Sequence, residues 1–169
     1  MKFAMRSLFN AVDTISEWSG RIVSFVVYIG IVVLFIEVFL RYLFNHPTVW
    51  AHGYSQRIFG SYFILIGAYT LLYNGHVRVD LIYNRFSKRV QAVFDIVNYI
   101  ALLVWDVVLV KEGYSFFMRS FKVREADEMV LCHPVYPVKF LILVGAVLIG
   151  LQGLSMLIKS LFVVLEREK

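Results

Sequence analysis

The sequence predicts an all-α integral membrane protein with four transmembrane helices and an N-terminal amphipathic helix. Three observations carry that prediction. Of the 169 residues, 60% are hydrophobic and only 17% are charged, against about 25% charged in an ordinary soluble domain. Mean hydropathy is +0.72. The apolar residues also come in long continuous runs, whereas barrel strands would need short alternating segments. A soluble globule of this size keeps too much surface to hide so many apolar side chains. Soluble enzymes, disordered tails and disulfide scaffolds are therefore excluded. The single cysteine, Cys132, cannot form an internal disulfide.

The elements follow in order. From Met1 to Trp18, the side chains of Phe3, Leu8, Ala11, Val12 and Ile15 share roughly one helical face. Lys2, Arg6, Asp13 and Glu17 mark the other. This pattern predicts an amphipathic helix on the membrane surface. The first span covers residues 22–43, starts after Arg21 and holds one acidic residue, Glu37. It is too long for a signal-peptide core and lacks a small-x-small cleavage site, so it is expected to be retained. The second span covers 54–73. The third covers 90–110 and is expected to continue as helix to about 122, because Tyr114, Phe116, Phe117, Met118 and Phe121 are too apolar for a solvated loop. Pro134 and Pro137 fit a turn and the first residues of a last span over 138–164. Lys139 and Lys159, near the ends of that span, are expected to snorkel. The tract from Glu125 to Glu128 reads as an exposed acidic tip. The chain is read as one membrane domain over 1–169.

Charge sets the expected orientation. Four spans put both termini on one side. That side carries ten Lys and Arg, and the other carries seven. The short loop with Arg78, Arg85, Lys88 and Arg89 decides the direction, because short loops carry most of the orienting signal. Both termini are expected to be cytoplasmic. The net charge of +5 is thus a topology signal rather than a nucleic-acid footprint.

Few residues point to chemistry. Glu37 is the costliest residue of the first span, and Arg41 lies one turn later in the favourable acid-before-base order. Three readings stay open for it: a local ion pair, a contact with a partner protein, or a transport carboxylate. Asp95, Asn98 and Asp106 project close together on the third helix, either toward neighbouring helices and headgroups or along an ion path. Gly53, Gly60 and Gly67, with Ala146, Gly150 and Gly153, form small faces suited to close helix packing. His46, His52, His76 and His133 raise haem ligation. No zinc spacing, catalytic triad or phosphate-binding glycine loop accompanies them. The reading calls for no cofactor, no metal and no catalytic or substrate-binding residue.

Two motifs carry a resemblance. One runs from Glu37 through Arg41, Tyr42, Phe44, Asn45 and Pro47 to Trp50. The other is Gly75-His76-Val77-Arg78-Val79-Asp80. In order and spacing they resemble the small membrane subunit of tripartite ATP-independent periplasmic (TRAP) transporters, the DctQ-like family. That family shows a related pattern after its first span and another after its second. Its members usually carry an acidic residue shortly after the tryptophan, whereas here Ala51, His52, Gly53 and Tyr54 follow Trp50. The resemblance implies a scaffold subunit of a sodium-driven transporter for organic acids in the bacterial inner membrane. It implies no enzyme activity. It implies a large membrane subunit and a periplasmic substrate-binding protein as partners, besides membrane lipid. Glu37, Arg41, Asn45, Trp50, His76, Arg78 and Asp80 become candidates for structural or partner-interface roles. The alternative is a haem- or quinone-binding anchor of a redox complex.

Overall fold

The computed structural model describes residues 2–73, 83, 85–127 and 132–165, with side chains described from Ser7 onward. It is helical almost throughout. Among the described residues five named helices follow in chain order: α1 Lys2–Tyr42, α2 Ala51–Leu65, α3 Gly67–Leu72, α4 Lys88–Lys122 and α5 Tyr136–Leu165. Among the described residues no strand occurs, only an isolated antiparallel bridge between Ala126 and Pro134. Among the described residues, three helical stretches are long and apolar enough to cross a membrane: Ser7–Tyr42, Lys88–Lys122 and Tyr136–Leu165.

α1 differs from the expected pair of elements. The stretch through Trp18 and the apolar run after Arg21 form one unbroken 41-residue helix. No proline interrupts it, and the one glycine at the junction, Gly20, is held against α3. A methyl group built on Gly20 would collide with the Tyr69 ring, so the missing side chain is what lets the two helices touch. α2 and α3 are separated only by Ile66. Its amide donates to the Tyr62 carbonyl (3.0 Å) and its carbonyl accepts from the Thr70 amide (2.9 Å). The hydrogen-bond ladder therefore passes through the interruption. α4 ends at Lys122, where the aromatic run predicts its end, and Pro137 occupies the first turn of α5, where its missing N–H leaves no ladder bond unmade.

α5 is the hub. It packs on α1, α2, α3 and α4, and α4 joins the bundle chiefly through it. The contacts are close because small residues line them. A methyl group on Gly145 would sit 3.0 Å from the Ile64 backbone, and one on Gly67 would sit 2.6 Å from the Ile149 side chain. Burial is inverted relative to a soluble protein. The interior holds Ala51, Ala68, Ala92 and Ala146 together with Ser16, Ser55, Ser61 and Gln152, while Phe25, Phe35, Phe63, Trp105 and Val107 lie at the surface. Small and polar inside, large and apolar outside, is the arrangement expected when lipid rather than water is the solvent. Two hydroxyls close onto their own helix: buried Ser55 donates to the Ala51 carbonyl (2.7 Å) and half-buried Thr70 to that of Ile66 (3.0 Å).

Candidate functional site

Polar side chains gather at the two ends of the bundle. At the first end, α1 stops at Tyr42 and Asn45 adopts a left-handed conformation (φ 51°). Asparagine tolerates that region better than most residues. The His46 amide then caps the Leu40 carbonyl (2.9 Å), and the chain turns back on itself. The reversal carries Thr48 to Glu37. The Thr48 amide donates to one carboxylate oxygen of Glu37 (3.1 Å), and its hydroxyl donates to the same oxygen. Arg41 donates to the other oxygen through Nε (3.0 Å) and Nη2 (2.5 Å). Glu37 is only 8% exposed. Of its three readings, the local ion pair is present in the geometry. Thr48, invisible in the spacing, completes it. Trp50 sits beside this turn, just before α2, with its ring edge-on to Tyr54 (5.9 Å). Tyr54 in turn meets His133 edge-on (5.6 Å). His46 and His52 are exposed.

The connection after α4 closes over the same end. The Asp127 amide donates to the His133 carbonyl (2.9 Å) and the Val135 amide to that of Glu125 (3.0 Å). Two ion pairs pin this loop to the helices: Lys139 of α5 to Glu125 (2.5 Å) and Arg57 of α2 to Asp127 (2.7 Å). The Lys139 ammonium also lies over the Phe116 ring, 3.9 Å from its centre. It holds the Glu125 carboxyl below the ordinary carboxylate range. The expected exposed acidic tip is thus corrected for Glu125 and Asp127, which are half-buried and paired. A signal for this existed. For Lys139, which lies inside an apolar helix, the nearest acids along the chain are in this tract, whereas nothing local marks a partner for Arg57.

At the second end, Asp13 of α1 accepts two hydrogen bonds from Lys159 of α5 (2.8 and 2.6 Å) and one from Gln152 (3.1 Å). The Gln152 carbonyl oxygen accepts from Ser16 (2.8 Å). Ser16 and Gln152 are almost fully buried. Lys159 therefore crosses to another helix rather than only reaching for solvent. Tyr83 donates to Asp95 (2.8 Å).

The polar face expected on α4 is divided. Asp106 is buried against α5, close enough that a methyl group on Gly150 would strike its carboxylate, and Asp95 is half-buried. Asn98 is exposed. Eleven residues return Asp106 to within about 20° of Asp95, but three residues carry Asn98 about 60° away. His76, Arg78 and Asp80 lie outside the described residues.

A family model describing the DctQ component of tripartite ATP-independent periplasmic transporters matches residues 30–163. The chain belongs to the DctQ family. No curated protein matches it. The DctQ match begins within α1, at Gly30, and runs almost to the end of α5. It contains the Glu37 turn, the Gly75–Asp80 motif and the pinned loop, and it assigns the protein to a transporter component rather than to an enzyme family. Asp13 and Ser16 fall outside the matched range, although Lys159 and Gln152, which hold them, fall inside it.

Proposed function

We propose that the chain is the small scaffold subunit of a sodium-driven, binding-protein-dependent TRAP transporter for organic acids, meaning carboxylates or similar anions. It braces the large membrane subunit in the bacterial inner membrane, with α2 and α3 together forming the second of four spans and both termini in the cytoplasm. The turn at Asn45 and Pro47 then faces the periplasm, where a substrate-binding protein docks.

One observation carries the scaffold reading. Four clusters of ionic side chains near the ends of the helices tie the chain to itself. Asp13 with Lys159, Glu37 with Arg41 and Thr48, Glu125 with Lys139, and Arg57 with Asp127 each fix one segment against another. Such ties favour a rigid body over a path for ions.

The experiment uses the motif between the second and third spans. Arg78→Ala or Asp80→Ala, in a chain co-expressed with the large subunit, is expected to lower complex yield and vesicle uptake together. Sodium stoichiometry and substrate preference should stay unchanged. A variant that assembles normally but alters sodium coupling would place these residues in the transport path and sink the scaffold reading.

A further inference from the structure

Helix α4 presents two flanks on either side of its contact with α5, and they differ in chemistry. Asp106 points at α5. On one flank Val93, Ile100, Val107 and Tyr114 follow one another every seven residues, and all are exposed. On the other flank Asn98, Trp105, Glu112 and Arg119 do the same, and all are exposed. Seven-residue spacing drifts only about 20° per step, which a left-handed crossing between helices absorbs. Each flank is therefore a straight seam for another helix or a straight face for lipid.

The apolar flank suits lipid, and the polar flank does not. Asn98 is flanked on its own face of α4 by exposed Phe94, Ala101 and Trp105, all apolar. An amide exposed within such a surface is costly in hydrocarbon, and across a helix interface it finds a hydrogen-bond partner. The exposed side chains of α1 between Ile22 and Leu40, and those of α5 between Val138 and Val164, are aliphatic or aromatic. Neither helix offers an amide or a charge to lipid there, which sets the polar seam of α4 apart.

We propose that the seam formed by Asn98, Trp105, Glu112 and Arg119 is the docking surface for a transmembrane helix of the large membrane subunit. The inference rests on the scaffold reading above and deepens it by naming the face. A second copy of this chain is a poor occupant. Copies inserted in one membrane run parallel, and a two-fold pairing would set Glu112 against Glu112 and Arg119 against Arg119. The occupant instead carries a polar group opposite Asn98, and beyond it a base opposite Glu112 and an acid opposite Arg119. Trp105, 65% exposed, is the large anchor between them.

The test is photocrosslinking in membranes that contain both subunits. A benzophenone amino acid replaces Asn98, Trp105 or Glu112 on the seam, or Ile100 or Val107 on the opposite flank. The expected result is a crosslink to the large subunit from the seam and none from the opposite flank. Alongside it, Asn98→Leu is expected to lower the yield of the co-purified complex about fivefold, while leaving the chain expressed alone no less stable. Three outcomes would overturn the proposal. An intact complex with crosslinks only from Ile100 and Val107 moves the interface to the other flank. Crosslinks between two copies of this chain make the seam a homodimer contact. Asn98→Leu with undiminished complex yield shows that the amide faces lipid. Wild-type chains that fail to co-purify at all would remove the scaffold reading, and this surface with it.

Discussion

Lys159 reaches from α5 to hold both carboxylate oxygens of Asp13 on α1, at 2.8 and 2.6 Å, across 146 residues of sequence. Gln152 joins the same carboxylate and passes the connection to buried Ser16. The N-terminal part of α1 is therefore clamped to α5 instead of lying free. Replacing Lys159 with Met or Asp13 with Asn is expected to destabilise the fold by about 1 kcal/mol each, the scale of interhelical polar contacts in membranes. The double variant should lose less than the sum. Thermal unfolding of the four forms in detergent measures the coupling, and strictly additive losses would show that the two residues do not act as a pair.

Asn45 closes α1 in a left-handed conformation. Asn45→Gly should be nearly neutral, because glycine enters that region without steric conflict. Asn45→Val should cost about 1–2 kcal/mol and loosen the turn that brings Thr48 to Glu37. Limited proteolysis between Leu43 and Trp50 reads this directly. Equal protection in both variants would mean that the left-handed residue does not govern the turn.

These two features mark the boundary of what the sequence makes legible. The apolar runs disclose the long helices, and the aromatic stretch from Tyr114 to Phe121 carries α4 to Lys122, because hydropathy and periodicity are local properties. The surface helix expected through Trp18 and the first span instead form one continuous helix. A charged pair, Glu17 with Arg21, interrupts the hydropathy there, but it bridges one helical turn at 2.5 Å and leaves the backbone helical. Pairings between distant segments were hidden. Nothing local links Asp13 to Lys159 or Arg57 to Asp127. At Glu37 the i,i+4 arginine was legible, whereas Thr48 depended on a chain reversal set by Asn45.

The loop after α4 should respond to acid. Lys139 holds the Glu125 carboxyl below its ordinary value of 4.5. A carboxylate depressed in the folded state stabilises it fully above that ordinary value, and the contribution disappears as pH falls through the lowered one. Protection of the Val135 amide, corrected for intrinsic exchange, is expected to stay level from neutral pH down to about 5 and to fall in more acidic buffer. Lys139→Met should flatten that acid dependence. An unchanged profile in the variant would remove the ion pair as its cause.

Orientation is open to a chemical test through Cys132, which is exposed beside the pinned loop. With the termini in the cytoplasm, a membrane-impermeant maleimide added to intact spheroplasts should label it when the large subunit is absent. Labelling only after permeabilisation would invert the topology.

The most direct measurement of the scaffold role compares uptake in vesicles carrying the large subunit with and without this chain, alongside co-purification of the two in mild detergent. A stable one-to-one complex is expected, with uptake that collapses when the chain is deleted. A chain that always purifies alone, with transport undiminished by its deletion, would contradict it.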